Sequence, residues 1–150
     1  MHRIESAQGD DRSIELQIQA KGLNAPRVKP EDLEAVIASE HFFTAGEGVD
    51  GADIAAMRAK EPQVSFHLQP LVADGEPPAV RSPLGLLTFC VLVLKNGFTV
   101  TGQSACASPE NFDADIGKKV AREDAKQKLW PLLGYNLKEQ LFKQEIPHGE

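Results

Sequence analysis

From Leu84 to Leu94 the chain is apolar at nearly every position, and after Lys95 and the pair Asn96-Gly97 it alternates as Phe98-Thr99-Val100-Thr101. Two β-prone runs joined by Asn-Gly read as a hairpin, because both residues accept the positive φ of a two-residue turn. The first arm puts Leu87, Phe89, Val91 and Val93 on one face and Cys90, Leu92 and Leu94 on the other, which predicts a central strand covered on both sides. The second arm puts Phe98 and Val100 on one face and Thr99, Thr101 and Gln103 on the other, as expected of an edge strand or one facing a polar pocket. Gly102 leaves room there for a bulge or a closely approaching ligand.

Helical spacing dominates elsewhere. Pro30 to His41 is expected to be a helix: Pro30 suits the first turn, Glu31 and Asp32 complement the dipole, and Leu33, Val36 and Ile37 make an apolar stripe. Short helices are predicted over Ser13–Lys21, stopping at Gly22, and over Ala52–Lys60, with a glycine-rich loop at Thr44–Asp50. Val64 to Gln69 alternates like a strand, and residues 70–83 form a Pro/Gly-rich loop. Ser108-Pro109-Glu110 reads as the start of a helix beginning at Pro109 or Phe112 and running to Trp130, where Pro131 ends it. Phe112, Ile116 and Val120 mark its expected core face, and Gly117, Ala121 and Ala125 form a small-residue row suited to close packing on a sheet. Asn136 and Glu139 resemble the cap of a last amphipathic helix. The fold class predicted is α+β: one domain over residues 13–146, an antiparallel sheet built around the hairpin with helices packed on it, and residues 1–12 as a disordered tail.

A length of 150 residues suits one domain, and its longest apolar run is too short to span a bilayer. The first residues lack the apolar centre of a signal peptide, so a cytosolic protein with no membrane partner is expected. The formal charge of −6 argues against general nucleic-acid binding. From Ile116 to Lys143, however, seven basic residues against three acids leave the segment at +4. Such a segment suits a compact anionic ligand, or is simply a solvated helix.

Cys90 and Cys106 lie on opposite arms of the hairpin. In a two-residue turn Lys95 faces Phe98, Cys90 faces Gln103 and Cys106 faces Leu87. Residues 87 and 90 are roughly 10 Å apart along a strand, beyond the reach of a disulfide, so two free thiols are expected. The four histidines have no metal-ligand spacing, and neither a metal nor a cofactor is predicted. No P-loop, GxGxxG or GxSxG is present, and Asp113 and Asp115 project to different sides of a helix, so the chain is not expected to be an enzyme. The strongest ligand candidates are Lys118, Arg122 and Lys126, spaced by four along one helix edge, where arginine offers a fork for phosphate oxygens. Phe98 and Phe112 can stack on a base, and Asn111 and Asp113 stand at the helix start, where such residues cap or bind.

Leu87 to Asp113 with its KNGF and PENFD segments, Ile116 to Ala121, and Trp130 to Tyr135 resemble a family of small tailed-phage proteins, the gene forty-nine/gene sixty-six family. The segment AKGLNAPRVKPEDLEAVIASEHFFTA is similar as well. The family includes the first described Thoeris anti-defence protein, a sponge for a cyclic ADP-ribose isomer. The resemblance implies a phage anti-defence protein in the cytoplasm of the infected bacterium, a homo-oligomer that binds a cyclic nucleotide signal without cleaving it. Arg122 and Asp124 depart from the family's usual pattern of an aromatic and an amide there. The alternative is a phage early accessory protein that binds a host protein and takes no small-molecule ligand.

Overall fold

Asn96-Gly97 does reverse the chain, but within a three-residue loop. The Gly97 N–H donates to the Leu94 carbonyl and the Leu94 N–H to the Phe98 carbonyl, both at 2.8 Å, so Leu94 faces Phe98. Gly97 alone carries the positive φ, at 86°, and the Asn96 side-chain oxygen accepts from the Phe98 N–H at 3.0 Å. A two-residue turn would put Asn96 at positive φ as well. The longer loop leaves that conformation to glycine. The register therefore moves by one from the expected one: Cys90 faces Gly102, not Gln103, and Leu87 faces Ala105, not Cys106. A one-residue shift changes the faces of a whole arm. Here it places Val100 beside Cys90, Leu92 and Leu94 on the buried face.

The computed structural model describes residues 7–63 and 83–146. The elements run α1 (Ala7–Ala20), α2 (Pro30–Ala35), β1 (Ile37–Thr44), α3 (Ala45–Lys60), β2 (Leu87–Leu94), β3 (Thr99–Ala105), α4 (Ala114–Gln127) and α5 (Leu129–Glu145). The strands form one antiparallel sheet in the order β1-β2-β3, which makes this the α+β fold expected from the hairpin. The strand expected over Val64–Gln69 and nearly all of the Pro/Gly-rich loop lie outside the described residues.

Several boundaries differ from the sequence reading. α1 starts at Ala7, inside the expected tail. The helix expected over Pro30–His41 stops at Ala35, and Ile37–Thr44 pairs with β2 instead. β-branched and aromatic side chains there find a ladder on the open edge of β2, and sheet pairing overrides the short helical stripe. The expected loop at Thr44–Asp50 is the first part of α3. The Thr44 hydroxyl accepts from the Glu47 N–H at 3.2 Å, and the Glu47 carboxylate accepts from the Thr44 N–H at 2.8 Å, a reciprocal cap that outweighs the glycines.

At the other end Pro109–Asn111 is a single 3-10 turn, and Asp113, not Ser108, caps α4 by accepting from the Ile116 N–H at 2.9 Å. The chain breaks at Lys128 and resumes as α5. Pro131 lies in the first turn of α5, where a missing N–H is tolerated, so it neither ends a helix nor leaves Asn136 at a cap. Ile116, expected in the core, is 60% exposed. The small-residue row is what packs: Gly117, Ala121 and Ala125 are buried against the sheet. A Cβ on Gly102 would overlap the Ala121 carbonyl oxygen and the Ala125 nitrogen, and one on Gly117 would sit 3.0 Å from the Thr88 hydroxyl. Glycine on β3 thus admits the α4 backbone itself, not a ligand. Leu33, Cys90, Leu92, Leu94, Val100, Ala121, Ala125 and Leu129 make the core beneath it.

Candidate functional site

The basic row of α4 points across the sheet toward β1. Arg122 donates through Nε to Glu40 at 2.7 Å and through Nη1 and Nη2 to both oxygens of Glu34, at 3.2 and 2.8 Å. Lys126, buried to 7% exposure, places Nζ 2.9 Å from Glu34. Four charges therefore close over the junction of α2, β1 and α4, and they cancel. The hydrogen bonds from Arg122, against the opposing cost of desolvation, hold the Glu34 carboxyl at about 2, with Lys126 assisting. The same contacts with Glu34 and Glu40 raise Arg122. Cys90 beneath is pushed up to about 11 by burial, with the Glu40 charge adding to it.

Lys118 and Lys119 are exposed one turn earlier and make no ion pair among the described residues. Lys118 is the cation of the row still available to an anion, with Lys119 next to it in sequence. Arg122 retains two of its five N–H groups beyond those given to Glu34 and Glu40.

The remaining candidates are not brought together. Phe98 is 53% exposed at the hairpin tip. Asn111, Phe112 and Asp113 follow the far end of β3, seven residues away along the strand, or roughly 20 Å. Phe112 is half-buried, and the Asp113 carboxylate is committed to its cap. The structure thus divides the expected site into a tip, a helix start and a basic edge.

Sequence reasoning missed the acids that organise this edge. Glu34 lies 88 positions from Arg122 and Glu40 lies 82 away, and nothing in local spacing pairs them. It also missed a second clamp, in which Arg27 holds Glu15 through 2.5 and 2.7 Å hydrogen bonds. That pairing holds the Glu15 carboxyl at about 2. Beside the clamp a groove of about 500 Å³ runs between α1, α2 and α4, lined by Asp11, Glu15, Gln19, Glu31 and Lys126 among others. Of the expected site residues only Lys126 reaches it. Among the described residues no group of three or more His, Cys, Asp and Glu side chains is placed to hold a metal, and no helix is long and apolar enough to cross a membrane.

Residues 28–141 match the model of the phage protein (N4 Gp49/phage Sf6 gene 66) family. The chain belongs to that family. No curated protein and no solved structure matches it.

Proposed function

We propose that this phage-family protein binds a cyclic ADP-ribose-type nucleotide in the cytoplasm of the infected bacterium, holding it as an oligomer and releasing it chemically intact. The observation that carries the reading is the exposed Lys118 and Lys119, without an ion pair among the described residues, beside the anchored Arg122 guanidinium on α4. The two lysines supply point charge for the phosphates. The carboxylates of Glu34 and Glu40 hold the guanidinium in one orientation, so a phosphate reaching its remaining N–H groups meets a donor already ordered. The resemblance of the hairpin and PENFD segments to the sponge's family supports the same ligand class.

A second reading, capture of a host protein with no small-molecule ligand, draws on one specific feature. The charges of Arg122 and Lys126 are already matched, so the inner part of the basic edge is neutral toward an incoming anion.

Calorimetry of the purified protein against cyclic ADP-ribose isomers and cyclic dinucleotides separates the two. Saturable binding of one of them, with the compound recovered unchanged after heat denaturation of the protein, is the expected result. Recovery of a hydrolysed product makes the protein an enzyme, and no heat with any compound turns the assignment to the host-protein reading.

A further inference from the structure

The two edges of the sheet are guarded in different ways. On β1 the guards lie in the strand itself: the register slips between Ile37 and Ser39, Glu40 puts a charge in mid-strand, and the Thr44 N–H is taken by the Glu47 carboxylate. Bulges and charges of this kind keep an edge from pairing with another chain. β3 has neither. Thr99–Ala105 carries no charged residue and no proline, and it pairs with β2 in unbroken register. A regular, uncharged strand with β-branched residues and one open side is the kind that takes up a foreign strand.

That open side is met by α4. Leu94 bonds to Phe98 at one end of the hairpin and Cys106 to Leu86 at the other, so the even-numbered residues of β3 face β2. Thr99, Thr101 and Gln103 therefore turn their N–H and C=O groups outward. The Gln103 N–H donates to Asp124 Oδ2 at 2.9 Å, and the Thr101 carbonyl accepts from Lys128 Nζ. Asp124 and Lys128 stand one turn apart at the end of α4 and pair with each other at 3.5 Å. Together they offer the edge one acceptor and one donor, the complement that the backbone of a single residue in a neighbouring strand would offer. Gly102 makes the reach possible, because its missing Cβ lets the α4 backbone lie against β3.

We propose that Asp124 and Lys128 stand in for a fourth strand and close β3 to strand addition. The Lys128 and Asp124 side chains are 50% and 44% exposed, so the pair adds little to stability. Its effect is on what the edge can pair with.

None of this depends on what the basic edge of α4 binds, and the test involves no ligand. In amide hydrogen exchange followed by NMR, Gln103 should exchange slowly although it faces away from β2, and Thr101 should exchange fast. Asp124→Ala should speed the Gln103 amide roughly tenfold. The double variant D124A/K128A should keep its circular dichroism and raise thioflavin T fluorescence on standing, a signal that folded oligomers do not give. D124N/K128Q retains an acceptor and a donor without the charges and should stay clear. A Gln103 amide that exchanges as fast as that of Thr101 in the parent overturns the proposal whether or not the variants fold. A double-alanine variant that stays clear, or a D124N/K128Q variant that assembles as readily, overturns it as well.

Discussion

The Arg122 guanidinium grips the Glu34 carboxylate with both of its terminal nitrogens, at 2.8 and 3.2 Å, and so ties α4 to α2 across 88 positions of sequence. Its third bond, to Glu40 at 2.7 Å, adds β1 to the same junction. The residue that sequence spacing marks as the best phosphate contact is therefore also a structural clasp.

Arg122→Ala should accordingly cost stability as well as affinity. The carboxylates are more than a third exposed, so the loss is smaller than for a buried network, about 1–2 kcal/mol in urea unfolding. Arg122→Lys should recover little of it, because an ammonium cannot bridge Glu34 and Glu40 with a planar fork. Lys118→Ala, by contrast, should leave the melting temperature alone and lower cyclic-nucleotide affinity roughly tenfold. A variant pair with the opposite pattern would reassign the two roles.

Acid should loosen the same junction. Glu34 titrates at about 2 in the fold against an ordinary value of 4.5, and Glu15, held by Arg27, is depressed equally. A carboxyl depressed by folding contributes stability that is fully present above about 4.5 and is lost as the pH falls toward about 2. Thermal melts between pH 6 and pH 2 should therefore fall most steeply in that window, and Glu34→Gln should flatten the slope. An unchanged slope in Glu34→Gln would mean that Arg122 does not hold that carboxylate in solution.

Two glycines separate close approach from chain flexibility. Gly102→Ala drives a methyl into the α4 backbone at Ala121 and Ala125, and neither strand nor helix can yield without opening the core. We expect a loss of about 3 kcal/mol or more, or failure to fold. Gly134→Ala on α5 meets nothing within 4 Å and should be neutral or stabilising by about 0.5–1 kcal/mol. Equal melting temperatures for the two variants would contradict the packing of α4 on β3.

Elements whose cause is local were legible in the chain, and those decided by distant partners were not. The hairpin, the small-residue face of α4 and the α+β class follow from residues a few positions apart. β1 was hidden because Ile37–Thr44 becomes a strand only when β2 offers it an edge. The start of α3 carried a readable signal, Thr44 followed by Glu47, which the intervening glycines obscured. At the candidate site the cations of α4 were visible as a row. The carboxylates that match them come from α2 and β1, and only the tertiary fold brings them within reach.

The hairpin register fixes how the two thiols behave. Cys90 faces Gly102, and the Cys106 N–H donates to the Leu86 carbonyl, so the two cysteines stand four positions apart along the ladder, or roughly 13 Å. Both are free, and the distance forbids a bridge in this register as firmly as in the two-residue one. Their reactivities should differ sharply. Cys90 is fully buried and pushed up to about 11, so little thiolate forms near neutral pH. Cys106 is half-exposed, with its Sγ hydrogen donating to the Ser108 carbonyl at 3.1 Å. Iodoacetamide labelling of the native protein followed by mass spectrometry should show Cys106 modified first and Cys90 only on unfolding. Labelling at equal rates would mean that α4 does not stay seated on the sheet, and an intact Cys90–Cys106 disulfide would overturn the register itself.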